Sequence, residues 1–233
     1  MVRRWMIMTY GLVTALLFAG AVWLVFAWTP EAYMAGDERP QVIQKIFYVH
    51  LPIAINAFLA CAVVCVGGIG YLASRRMPWD DLAAAGAKVA VVLCSLVLAT
   101  GMLWARGAWN VWWTWSPRLT FSFMLWLLYL VYMVLRGSVE GPRKRALITA
   151  VYGIVAFLDV PLVWLSTRLL PPEIHPVNVG LTPKMQMTLA VWFVPVTLMV
   201  AGLVAMQYTL ERRRREAAKR RARELAEATG GAA

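Results

Sequence analysis

Six apolar stretches, each long enough to cross a bilayer, set the limits on what this chain can become. A membrane-spanning helix needs roughly 20 consecutive, mostly apolar residues. Such runs occur at Met6–Trp28, Ile46–Ala73, Leu82–Trp104, Leu119–Leu135, Ala146–Leu169 and Met185–Tyr208. The expected fold is an all-α integral membrane protein with six transmembrane helices. Composition agrees with this, since 61% of the 233 residues are hydrophobic and 15% are charged, too little charge to coat a soluble core. Arg3 and Arg4 precede the first run in the manner of a signal peptide. That run is longer than a signal's apolar region, however, and no clear small-x-small cleavage pattern follows Trp28, so it is read as an uncleaved helix.

The formal net charge of +11 would suit a nucleic-acid partner, but its placement points to lipid instead. With the N-terminus inside, one side collects Arg3, Arg4, Arg75, Arg76, Arg136, Arg143, Lys144, Arg145, the run 212–215, Lys219, Arg220, Arg221 and Arg223. The other side holds only Arg39, Lys45, Arg106, Arg118, Arg168 and Lys184, and Lys88 falls within the third run. Sixteen cations against six place both termini in the cytoplasm, consistent with an even number of spans. The chain thus divides into a membrane domain, residues 1–208, and a basic cytoplasmic tail, residues 209–233. The tail mixes Arg, Lys, Glu and Ala and is expected to extend the sixth helix, its cations near anionic headgroups of the lipid bilayer. It serves first as a topology anchor, and a docking role for a cytosolic partner is the alternative.

Topology also sorts the rarer residues by side. Cys61, Cys65 and Cys94 all fall inside apolar runs without a Cys-x-x-Cys pair, and they read as small buried hydrophobes. The two histidines, His50 in Phe-Tyr-Val-His-Leu-Pro and His175 in Glu-Ile-His-Pro, both reach the outer side. Either alone reads as an ordinary polar residue at the membrane surface. Arriving together from separate elements, they could close both axial positions of a haem iron. The outer connection at 104–120, between the third and fourth runs, carries Trp109, Trp112, Trp113 and Trp115. A helical segment there would put the first three on one face, and Pro117 would end or bend it. An interfacial aromatic belt is the plain explanation. The cytoplasmic ends, though, hold only Trp5 and Trp79, while the outer half adds Trp23, Trp28 and Trp104 to the loop residues. That asymmetry favours a platform for a flat ligand such as a porphyrin. Arg106 and Arg118 flank the platform as candidate partners for propionates, or as plain interfacial charges.

The Trp-rich loop followed by Arg118-Leu119-Thr120 resembles the WWD signature of the cytochrome c assembly family that handles haem. The segment around His50 resembles the one bearing the first ligand histidine in the CcmC branch of that family. Asp159-Val-Pro161 and His175-Pro176 resemble the part leading to the second. The resemblance implies a haem-binding and delivery protein of the bacterial inner membrane rather than an enzyme, with haem b bound on the outer face. It implies His50 and His175 as axial ligands, with Trp109, Trp112, Trp113, Trp115, Arg118 and Arg106 around the ring. Implied partners are a periplasmic CcmE-like haem chaperone, the ABC-type transporter subunits of the maturation system and a small CcmD-like membrane protein, with no nucleic acid. Two positions depart from the pattern. Ser116 stands where an acid usually ends the signature and supplies no fixed negative charge, and Asn110 stands where a glycine is expected. Asp159 stands where relatives tend to carry asparagine. An acid inside a membrane helix counts as a functional candidate, but its place before Pro161 suggests that it hydrogen-bonds backbone groups freed by the proline.

Three other readings are weaker. A haem lyase or synthetase would be larger, with more helices and histidines. A membrane electron-transfer cytochrome would hold its ligand histidines inside the hydrocarbon layer on facing helices. A small-solute transporter would show polar residues along its helices or internal repeats. No nucleotide loop, nucleophile–base pair or carboxylate pair appears, which argues against a catalyst.

Overall fold

Each apolar run becomes a helix because, in lipid, the backbone must satisfy its own hydrogen bonds. The computed structural model describes residues 2–31, 42–169 and 180–230, and among them it contains helices and short connections but no strand. Helix α1 (Val2–Trp23) runs on into one π-helical turn, Leu24–Trp28, closed by the Thr29 N–H on the Leu24 carbonyl at 2.9 Å. A 3₁₀ turn, Val42–Ile46, leads into α2 (Phe47–Ser74). Then come α3 (Met77–Trp109), α4 (Pro117–Ser138), α5 (Pro142–Phe157), α6 (Asp159–Leu169) and α7 (Pro183–Gly230). Six helical spans are long and apolar enough to cross a membrane, with α5 and α6 together making the fifth, Pro142–Ser166.

Local chemistry sets the boundaries. Helix α2 stops where Arg75 turns left-handed at φ 55°, its N–H on the Tyr71 carbonyl at 2.7 Å. Helices α3, α4 and α5 each carry proline in the first turn, where its missing N–H costs nothing and its fixed φ already suits the helix. The fifth span breaks at Leu158 because Pro161 has no N–H to give the Phe157 carbonyl.

Helix α2 lies at the centre, packed against α3, α5 and α7. Small residues let the backbones approach. A Cβ added at Gly67 would stand 2.8 Å from the Ala83 nitrogen, and one at Gly68 would stand 2.9 Å from the Ala150 carbonyl oxygen. Close backbone approach at small residues is a principal source of helix association in lipid, where the hydrophobic effect no longer separates helix from surroundings. Helix α1 is fastened to α7 by the Trp192 indole N–H on the Ala21 carbonyl at 3.0 Å and by the Thr29–Thr188 hydroxyl pair at 2.7 Å.

One end of the bundle, the end expected to face the cytoplasm, is tied by ion pairs. Arg136 of α4 grips Asp80 with two hydrogen bonds of 2.7 and 2.8 Å, and Asp80 is 2% exposed. Arg215 of α7 grips Asp81 at 2.7 and 3.0 Å, and Lys88 pairs with Glu211. Helix α3 begins at Met77, ahead of the apolar run from Leu82, where proline and acids in the first turns suit a helix N-terminus and the pairs neutralise the acids. The same pairs also carry α7 past Tyr208 as continuous helix, which at about 1.5 Å per residue makes the 48-residue element about 72 Å long. Asp159 differs from expectation. It is buried at the start of α6, yet neither carboxyl oxygen has a hydrogen-bond partner, so it does not satisfy the backbone groups freed by Pro161.

Candidate functional site

At the opposite end of the bundle, α2, α3, α4, α6 and the approach to α7 separate around a cavity of about 590 Å³. That volume lies within the range of sites for drug-sized ligands, roughly 300–1,000 Å³. Its deeper wall is apolar: Ala54, Ile55 and Phe58 from α2 face Val97 and Leu98 from α3. Its upper wall carries the chemistry.

His50 projects from the first turn of α2 into this cavity. The ring lies edge to face with Trp104, centroids 5.8 Å apart, and its Nδ1 is 2.8 Å from the Thr100 hydroxyl. Trp104 in turn stacks on Trp109, 6.1 Å between centroids and 29° between planes. Trp113 lines another side and packs edge-on against Trp115 and Phe123. Arg118, in the first turn of α4, completes the rim, and Trp164 comes in from α6.

The Trp-rich connection is irregular, so its tryptophans do not share one helical face. Asn110 takes φ 56° and ends α3, a conformation that asparagine tolerates better than most residues, and its carbonyl accepts the Arg106 guanidinium at 2.9 Å. Residues 110–116 are irregular, so Trp109 ends one helix while Trp112 and Trp113 belong to the connection. Pro117 opens α4 rather than closing a segment.

Of the residues named from sequence, His50, Trp109, Trp113 and Arg118 meet around the cavity. Trp112 and Trp115 stay outside it, 56% and 73% exposed, and Arg106 lies over the Trp112 ring at 5.8 Å. His175 lies outside the described residues. Sequence reasoning named Trp104 and Ser116 without assigning either to the site, and it passed over Thr100. Trp104 is four residues beyond Thr100 on α3, and that helical spacing was the available signal.

The unpaired polar atoms indicate what such a cavity accepts. The Trp113 indole nitrogen and the Ser116 hydroxyl are both buried without a hydrogen-bond partner. Two N–H or O–H donors beside a guanidinium suit an anionic group, while aromatic and aliphatic walls suit a broad apolar ring. Among the described residues, no group of three or more His, Cys, Asp or Glu could hold a bare metal ion.

Comparison with known proteins agrees with this arrangement. A family described as "Heme exporter protein C" matches residues 1–228. Heme exporter protein C of Paracoccus denitrificans (strain Pd 1222) is 32% identical over 205 residues, covering 87% of this chain and 82% of the relative. The protein of that name from Rhodobacter capsulatus is 30% identical, covering 90% of this chain and 85% of its own. That of Escherichia coli (strain K12) is 27% identical over 156 residues, 65% of this chain and 60% of its own. The match runs through the six spans, the Trp loop and nearly all of the long terminal helix, and the chain belongs to the Heme exporter protein C family.

Proposed function

We propose that this protein binds haem in the cavity at the His50 end, on the outer face of the bacterial cytoplasmic membrane, and delivers it to a haem chaperone for cytochrome c maturation. The observation that carries the reading is the meeting of one imidazole, a wall of indoles and a guanidinium around a single apolar cavity. The name shared by the relatives, Heme exporter protein C, agrees with haem as cargo.

His50 and His175 serve as the axial pair. His175 stands five residues before Gly180, which lines the cavity, and five residues span at most about 18 Å of chain. Trp109 and Trp113 hold the ring by stacking, each aromatic contact worth about 1 kcal/mol beyond its buried area. Arg118 takes a propionate, with the Trp113 N–H and the Ser116 hydroxyl as further donors. Trp112, Trp115 and Arg106, exposed on the same loop, face the partner that receives the haem.

The chain binds, orients and releases without catalysing. The haem, which we take to be haem b, would be held by coordination, stacking and ion pairing, so no covalent bond to the protein needs breaking at transfer. His50 is packed between α2 and α3 and would stay with the protein when the haem leaves. The ABC-type transporter subunits and the small CcmD-like protein of the maturation system are the expected neighbours in the membrane.

The reading is tested on full-length protein purified in detergent, by its absorption spectrum with added haem. Wild type should give a six-coordinate low-spin spectrum when oxidised and when reduced. His50→Ala and His175→Ala should each lose that spectrum and retain several-fold less haem. Unchanged haem content in both variants would remove the ligand assignment.

A further inference from the structure

We propose that Thr100 is a positioning residue that fixes His50 in the tautomer whose Nε2 faces the iron, an inference that rests on the haem-binding reading above. A hydroxyl carries one proton. The Thr100 proton goes to the Leu96 carbonyl one turn back, at 2.7 Å, with the Val97 carbonyl at 3.3 Å as a weaker second acceptor. The Thr100 oxygen is then left with lone pairs, and the His50 Nδ1 lies 2.8 Å from it. With the hydroxyl proton on the helix carbonyl, the arrangement that pairs both groups has Nδ1–H donating to Thr100. Neutral imidazole has one N–H, so Nε2 carries the lone pair, as an iron ligand must.

The surroundings hold that orientation from other sides. A Cβ added at Gly101, the next residue on α3, would sit 3.4 Å from His50 Cε1, an ordinary contact, so this turn of the helix runs beside the ring. Trp104, one turn beyond Thr100, meets the ring edge to face. Helix α3 therefore supplies a seat for the ligand at 100, 101 and 104, and only Thr100 in that seat acts through a hydrogen bond. Acceptors behind a ligand histidine also raise its basicity, which stabilises the oxidised metal, and losing one typically weakens metal binding by about 10–100-fold.

The test uses full-length Thr100→Val and Thr100→Ser proteins in detergent, with haem titration, reductive potentiometry and thermal unfolding of the haem-free form. Valine keeps the shape and removes the acceptor, while serine keeps the acceptor. The expected result is about tenfold or weaker haem binding and a raised midpoint potential for Thr100→Val. Thr100→Ser should behave like wild type, and haem-free unfolding should be unchanged in both. Wild-type binding and potential in Thr100→Val would overturn the proposal, as would equal losses in both variants. His50→Ala separates the two levels of inference. If it loses haem while Thr100→Val does not, only the role of Thr100 falls. If it binds like wild type, the haem site itself falls and the role of Thr100 with it.

Discussion

Asp80 and Arg136 form a closed pair of charges inside the ion-tied end of the bundle, with side chains 2% and 10% exposed. Breaking such a pair leaves a bare buried charge, whereas replacing both partners leaves none. Asp80→Asn is therefore expected to cost about 3–5 kcal/mol, and the double change Asp80→Leu with Arg136→Met to recover most of it. Thermal unfolding in detergent checks this, and equal stability of the single and double variants would contradict it. At this scale the sequence was legible where a residue type is rare. Two histidines and a run of tryptophans in a mostly aliphatic chain are conspicuous. The partners of those residues were not legible. Thr100 is 50 positions from His50 and Arg136 is 56 from Asp80, and only helix packing brings each pair together.

The contact between α2 and α3 is set by small residues, and one of them admits nothing larger. A side chain at Gly67 would meet the backbone nitrogen of Ala83 at 2.8 Å, and backbone cannot rotate aside. Gly67→Val is expected to force the two helices apart and to destabilise the fold by about 1–3 kcal/mol. Gly137, with nothing within 4 Å of a Cβ, should accept alanine without loss. Comparison of their melting temperatures decides the point, and a Gly67→Val protein as stable as wild type would mean that the helices slide freely. The six spans were readable because a bilayer imposes a length on every apolar run. Their ends were less readable, because they depend on cancellation. Helix α3 reaches back to Met77, ahead of its apolar run, with proline and acids in its first turns and arginines of α4 and α7 on those acids. The connection at 110–116 was read as a Trp-rich outer loop, and its irregular course begins at a left-handed asparagine that the Trp spacing did not signal.

For the molecule as a whole, charge asymmetry sets orientation. Six spans would bring both termini out on one side, and the basic tail leads us to expect that side to be cytoplasmic. A fluorescent protein that matures only in the cytoplasm, fused after Ala233, is expected to glow, and an alkaline phosphatase at the same point to stay inactive. The opposite pair of results would invert the molecule and put the cavity inside the cell. One architectural contrast then has a mechanical consequence. The ion pairs from Asp80, Asp81 and Lys88 staple α3 to α4 and α7 at one end, while at the other the helices part around empty volume. A bundle clamped at its base and parted at its tip bends like forceps. If haem is the guest, as proposed, opening is expected at the tip while the pairs at the base keep their partners.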